Sequence, residues 1–229
     1  YKYRYIDGIP GAPEKPYFQL GKVIHKVLEI FHEENYRSYE DLIALLDSNW
    51  QEGGYKYEQE KEQNRQDAEG MLKNYWDYIQ LHPVNTLYTE HWFSFETDYA
   101  ILSGKCDRID LDENGNLSII DYKTSKTPKT ERQLKKDIQL GIYALFTSLN
   151  GVETSHMKNI KKIPDKLSMM FVREEVPEVA VELTDDDLDV IEENIRATSN
   201  GIKKNNFIPC KGMHCDYCDY KELLCPLFG

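Results

Sequence analysis

The chain has no apolar run near the ~20 residues that a membrane span requires, and its opening residues carry no signal-peptide pattern. The expectation is a soluble, cytoplasmic protein that does not engage a membrane. Positive charge is also scarce: 28 Lys and Arg stand against 40 Asp and Glu, a net charge of −12. That balance excludes a protein that coats nucleic acid by bulk electrostatics, yet leaves room for an enzyme with a local basic strip. Cysteine is missing from most of the chain, because four of the five lie in the last twenty residues. A secreted disulfide protein would spread them, so the clustering suggests metal. No internal repeat is present. At 229 residues the length suits one sizeable domain with a small appendage.

What is present is an ordered series of periodicities. Leu20, Ile24, Val27, Leu28 and Phe31 recur at helical spacing and predict an amphipathic helix over 17–35. Further helices are predicted over 39–50 and 66–81, the latter with Met71, Leu72, Tyr75, Trp76 and Ile79 inward and His82-Pro83 as its stop. The charged segment 53–66 is either a loop or the lead-in to that helix. Residues 1–16, aromatic and then rich in Pro and Gly, read as an entry segment without regular structure. Strands are predicted over 87–96, 100–111 and 117–123. One helix over 130–148 follows, with Leu134, Ile138, Ile142 and Leu145 inward. A polar loop over 151–165 leads to strands over 166–173 and 178–183. Thr184 and Asp187 then form a capping-box-like start for a helix to about Ile202. The order describes an α/β core with helical decoration.

The most informative stretch is Gly104 to Thr124, two strands around Glu113-Asn114-Gly115. A three-residue loop with Gly115 left-handed sets Ile109 against Ile119, Leu111 against Leu117 and Asp107 against Asp121. A two-residue Asn-Gly turn slips the register by one and sends the two aspartates to opposite faces. The apolar pairing favours the first. In it two carboxylates lie about 5 Å apart at Cβ, an arrangement that destabilises a sheet. Lys123 shares their face, and a divalent cation would offset the repulsion. Two aspartates and a lysine suit metal-assisted phosphodiester hydrolysis, since carboxylates are the hard ligands Mg²⁺ takes. A basic strip of Lys123, Lys126, Lys129, Arg132, Lys135 and Lys136 continues from this hairpin, interrupted by Glu131. Alone it reads as a solvated loop and helix start; beside the hairpin it becomes a candidate surface for DNA.

The strings GKCD (Gly104 to Asp107) and IIDYK (Ile119 to Lys123) resemble the two core motifs of the RecB-like branch of the PD-(D/E)XK nucleases. The helix LGKVIHKVLEIF (Leu20 to Phe31) is similar to the family's leading helix, and QLGIY (Gln139 to Tyr143) resembles its Gln-x-x-x-Tyr motif. The tail CDYCDYKELLCP (Cys215 to Pro226) is similar to that of members carrying an iron–sulfur cluster. The resemblance implies a restriction-endonuclease-like fold: a mixed central sheet flanked by helices, with helical N-terminal decoration and a Cys-rich C-terminal tail. It implies a nuclease domain over 1–205, with a helical insertion at about 36–82, and a metal-binding tail over 206–229. It also implies that His25, Asp107, Asp121 and the Tyr122 carbonyl hold Mg²⁺ or Mn²⁺, that Lys123 positions water, and that Gln139 and Tyr143 line the site. Lys126, Lys129, Arg132 and Lys136 would then bind DNA. Gly21, one turn before His25, leaves room for a ligand to approach. Glu90 resembles an acidic position often found in relatives, although a surface glutamate reads almost as well. Cys106 reads as a core cysteine.

Cys210-x4-Cys215-x2-Cys218-x6-Cys225 suits zinc or an iron–sulfur cluster. In cluster-bearing relatives three tail cysteines join one near the N-terminus, directly before a segment that YKYRYIDG resembles. The fourth ligand of a 4Fe–4S cluster would therefore lie upstream of Tyr1, or Cys210 takes its place. The function implied is a metal-dependent DNA exonuclease in repair, recombination, or phage or CRISPR-related processing, with a helicase or recombination subunit as a possible associate. The competing reading is a catalytically weak subunit that uses the same fold to bind DNA ends or dock a partner.

Overall fold

A computed structural model describes residues 1–11, 16–34, 36–51, 55, 57–154 and 158–228, the side chains of residues 16 and 17 excepted. Its centre is a five-stranded sheet in the order β1 (Thr86–Glu96), β2 (Ile101–Leu111), β3 (Leu117–Lys123), β6 (Lys166–Phe171), β7 (Glu178–Val181). The β1–β2, β2–β3 and β6–β7 pairs are antiparallel, while β3 and β6 are parallel. A parallel pair needs a crossover, supplied here by α4 (Glu131–Leu134) and α5 (Ile138–Leu149). This is the mixed, helix-flanked sheet that the hydrophobic patterns and the resemblance predict.

Alternation along the strands builds a core on each face. One face packs Phe93, Ile109, Ile119 and Leu167 against α5 and α6 (Asp185–Lys203). The other packs Ile120, Tyr122, Met170 and Val172 against α1 (Pro16–Glu33), α2 (Tyr39–Asn49) and α3 (Glu58–Leu81). Leu20, Ile24, Val27, Leu28 and Phe31 are all buried, as their spacing requires. The third helix starts at Glu58, so the charged lead-in belongs to it; residues 52–54 and 56 lie outside the described residues. Thr184 caps α6 in a full capping box with Asp187.

Three expectations are corrected. The helix over 130–148 is two helices, because Asp137 adopts an extended conformation and caps α5 through its bonds to the Gln139 and Leu140 N–H groups. As a consequence Ile138 lies in the first turn and is 49% exposed rather than inward. The loop over 151–165 contains a small ladder, β4 (Val152–Glu153) with β5 (Asn159–Ile160); residues 155–157 of that loop lie outside the described residues. The entry segment is not wholly irregular either. Lys2–Ile6 forms a π-helical turn, anchored where Tyr3 Oη donates to the Leu224 carbonyl at 2.6 Å. Residues 12–15 of that segment are outside the described residues. Among the described residues no helix is long and apolar enough to cross a membrane.

Candidate active site

The hairpin adopts the three-residue loop. Gly115 has φ +82°, a left-handed conformation that glycine adopts without a Cβ penalty, and Ile109 pairs with Ile119 and Leu111 with Leu117. The regular ladder ends at Arg108–Ile120. Beyond it the two carboxylates part. Asp107 Oδ2 accepts the Tyr122 N–H at 2.7 Å and lies 3.4 Å from His25 Nδ1. Asp121 Oδ1 instead accepts from Gln139 Nε2 at 2.7 Å and Tyr143 Oη at 3.0 Å, and its Oδ2 lies 2.5 Å from Lys123 Nζ. Each carboxylate thus has its own partners, which offset the expected repulsion only in part.

Asp107 can turn because the sheet is irregular there. On the β1 side the ladder pairs Thr89 with Arg108 and His91 with Cys106, leaving Glu90 and Asp107 between them. Glu90 has φ +47°, a strained conformation for a residue with a Cβ, and strain of this kind concentrates at functional sites. The irregularity brings three ligand atoms together. Those of His25, Glu90 and Asp107 all lie within 4.8 Å of one another. Two carboxylates and an imidazole are a donor set for a divalent ion. Glu90 also forms an ion pair with Lys105.

Electrostatics mark the same cluster. Burial raises the Asp121 carboxyl, as does the negative charge of Asp107, and the Lys123 ammonium opposes both only in part. Burial pulls the His25 ring down, but its bond to Asp107 and the charges of Asp107 and Asp121 outweigh that and raise it. Burial and the charge of Asp121 push Tyr143 well up, so its hydroxyl remains a donor. Gln139 links the set, donating to Tyr143 Oη at 2.7 Å and accepting from Lys123 Nζ at 3.0 Å.

His25, Asp107, Asp121, Lys123, Gln139 and Tyr143 therefore converge. Gly21 is less open than its sequence suggests, since a Cβ there would meet Thr124 Oγ1 at 3.2 Å. Lys129, Arg132 and Lys136 line a cleft beside Gln139 and Tyr143, whereas Lys126 stands apart from it. Cys106 is fully buried, as expected. The four tail cysteines border one cavity of about 480 Å³ that Tyr1, Lys2 and Tyr3 also line, although no three of their sulfurs lie within 4.8 Å of each other.

Sequence reasoning missed Lys105, which sits two residues before Asp107 inside the GKCD string and borders the clefts on both sides of the site. It also missed a buried polar network. Arg108, 2% exposed, donates from Nη1 to Tyr75 Oη at 2.6 Å and Tyr122 Oη at 3.0 Å, and its Nε lies 3.0 Å from Asp110. His32 joins it through Tyr75, with Thr86 Oγ1 3.1 Å from its Nδ1. Arg108 and Asp110 share one face of β2, but no sequence signal links them to Tyr75, Tyr122, His32 and Thr86, which come from other elements.

A family model described as the PD-(D/E)XK nuclease superfamily matches residues 1–226. No curated protein matches the sequence significantly. Among solved structures, the chain is similar to one titled "Putative exonuclease" from Eubacterium rectale, with TM-score 0.54, 16% identity and coverage of 96% of this chain and 80% of that one. SSO0001 follows with TM-score 0.41, 14% identity and coverage of 92% and 85%. Protein VC1899 from Vibrio cholerae has TM-score 0.29, 13% identity and coverage of 81% and 50%. At these identities the first likeness bears on the fold alone, while the match over nearly the whole sequence bears on descent: the chain belongs to the PD-(D/E)XK nuclease superfamily.

Proposed function

We propose that the protein is a divalent-metal-dependent deoxyribonuclease of the RecB-like branch, working as an exonuclease in DNA repair, recombination, or phage or CRISPR-related processing. The observation that carries this reading is the convergence of His25, Glu90 and Asp107 next to the Asp121–Lys123 pair. The donors suit Mg²⁺ or Mn²⁺, with His25, Asp107, Asp121 and the Tyr122 carbonyl as ligands and Glu90 added to them. When bound, such an ion lowers the pKa of a coordinated water and polarises the scissile phosphate. Lys123, held between Asp121 and Gln139, orients the attacking water and stabilises charge that develops on phosphorus oxygens. Tyr143 keeps its proton and fixes Asp121 through the bond it donates. Lys126, Lys129, Arg132 and Lys136 neutralise the DNA backbone.

The test is titration of wild type, Asp121→Ala and Lys123→Ala on labelled DNA with Mg²⁺ and Mn²⁺, using linear, circular and end-blocked substrates. Loss of cleavage in both variants supports the assignment, and undiminished cleavage by both removes it. Resistance of circles and blocked ends identifies an exonuclease.

The tail over 206–229 acts as a staple on the nuclease unit over 1–205. Its thiols suit a 4Fe–4S cluster, with zinc as the alternative: Cys215, Cys218 and Cys225, plus Cys210 or a cysteine preceding Tyr1. The four cysteines border one cavity, where either group would sit. Iron and zinc analysis of anaerobically purified protein decides between them. A helicase or recombination subunit is the expected associate, testable by copurification from the source cell.

A further inference from the structure

The parallel strands β3 and β6 end at the same edge of the sheet, and the residues just past their ends meet there. Val172 donates its N–H to the Lys123 carbonyl at 3.1 Å, which carries the pairing one residue beyond β6. Arg173 follows. Its Nε donates to the Thr124 carbonyl at 2.9 Å, and its Nη1 donates to Asp67 Oδ2 on α3 at 2.7 Å. Burial raises the Asp67 carboxyl, but the bonds from Arg173 and Gln63 and the charges of Arg173 and Lys126 outweigh it and hold the group below its ordinary value. Asp67 is therefore an ionised anchor, and the Arg173 side chain, only 20% exposed, is fixed from two sides.

No step of the proposed reaction uses Arg173, yet it lines the cleft of about 680 Å³ that contains His25, Glu90 and Asp107. Thr124 and Ser125 line the same cleft, and Lys22 lines it from α1. Two acids of the cleft already have cations: Glu29 has Lys26 at 2.9 Å, and Glu90 has Lys105. Lys126 stands apart from the cleft that Lys129, Arg132 and Lys136 line, but its charge reaches Asp67. The basic strip thus extends to both sides of the carboxylates.

A neutral amide could brace the Thr124 carbonyl. A guanidinium adds a permanent charge and five N–H donors, of which the two bonds use only two. Among the described residues, Nη2 has no hydrogen-bond partner. A cation already ordered in the free protein, with donors left over on a cleft wall, is organised to meet the oxygens of a phosphate. We propose that Arg173, with Lys22, binds a DNA phosphate next to the scissile one and so sets the register of the strand on the metal donors. Which phosphate is scissile rests on the nuclease reading; the binding of phosphate by Arg173 does not. The group is the diester of the neighbouring nucleotide or the monoester of a strand end, which present the same oxygens.

Fluorescence polarisation of the full chain in EDTA, over a series of salt concentrations, tests this with labelled oligothymidylate. The oligonucleotide carries a 5′-phosphate, a 3′-phosphate, or hydroxyls at both ends. Arg173→Gln is made together with Asp67→Asn, which leaves the net charge unchanged and no carboxylate unpaired; circular dichroism checks the fold. The double variant should bind about tenfold more weakly, and its plot of log affinity against log salt should be shallower by about one. Arg173→Lys keeps the charge and loses the fork, so it should restore the slope and only part of the affinity. A loss confined to one phosphorylated end identifies the monoester there, and an equal loss on all three identifies an internal diester. A residue that only braces Thr124 would change the melting temperature and leave affinity and salt slope as in wild type, which overturns the proposal. Should the double variant not fold, undiminished binding by Arg173→Lys overturns it. DNA cleavage with Mn²⁺ is assayed in parallel. Cleavage by wild type with binding unchanged in the variants removes the phosphate site and keeps the nuclease. A shallower salt slope in the double variant without cleavage by wild type keeps the phosphate site and removes the nuclease.

Discussion

Lys123 Nζ lies 2.5 Å from Asp121 Oδ2, while the other oxygen of Asp121 accepts bonds from Gln139 and Tyr143. The carboxylate is 2% exposed, and these partners only partly offset its burial and the nearby charge of Asp107. Its folded pKa is raised.

An acid raised in the folded state costs stability once it ionises, because stability is lost as pH rises through the folded pKa. Asp121→Asn removes that cost, and Lys123, 28% exposed, can turn to water. Metal-free Asp121→Asn should melt above wild type, with the difference growing from acid to neutral pH. Its DNA cleavage should fall by at least about 100-fold. Calorimetry and a cleavage assay check both, and a variant less stable than wild type at neutral pH would contradict the sign.

His32 moves the other way. Burial, with the charges of Arg108 and Arg37, lowers its ring to about 3 from an ordinary 6.5. Between those values the unfolded chain binds the extra proton, so the contribution of neutral His32 is complete above 6.5 and declines as pH falls towards 3. The decline is about 1.4 kcal/mol per pH unit. His32→Gln lacks it. Urea unfolding should show the gap between wild type and variant narrowing by about 2 kcal/mol from pH ~7 to pH ~5.

Lys105 pairs with Glu90 and places a cation beside the donors of His25, Glu90 and Asp107. A divalent ion entering that cluster must compete with it. Lys105→Met should therefore tighten Mn²⁺ binding by about two- to fivefold, a modest effect because the lysine is half exposed. Calorimetric titration reads it, and weaker Mn²⁺ binding in the variant would show that Lys105 organises the site rather than guarding it.

Gly141 places α5 against α6, where a Cβ would approach Ile191 Cγ2 at 2.4 Å and Cδ1 at 2.9 Å. Gly141→Ala should cost about 1–3 kcal/mol of stability. Ile191→Ala in the same chain should recover part of it, giving a double-mutant cycle with clear coupling. Additive losses would mean that the helices shift to absorb the methyl.

Much of the fold was legible because the local physics is strong. The burial of Leu20, Ile24, Val27, Leu28 and Phe31 on α1, the alternation in β2 and β3, and the Thr184–Asp187 box each follow from spacing alone. The break at Asp137 was not. Leu134, Ile138, Ile142 and Leu145 keep helical spacing straight across it, and only the capping bonds from Asp137 to Gln139 and Leu140 reveal that a new helix begins. The same misreading concealed Ile138 as a surface residue.

By itself the sequence determined the hairpin register, since Ile109–Ile119 and Leu111–Leu117 can share a buried face in one pairing only. It also set Lys123 on the face of Asp121, while only the resemblance put Gln139 and Tyr143 in the site. Tertiary structure decided where each carboxylate points. Asp107 joins His25 and Glu90 because a left-handed Glu90 interrupts the ladder opposite it, and Asp121 joins Lys123 and α5. Lys105, the Arg108 network and the Arg173 tether were decided there too. Their parts lie on elements far apart in the chain, and partnership between such residues is set by packing, which no local periodicity encodes.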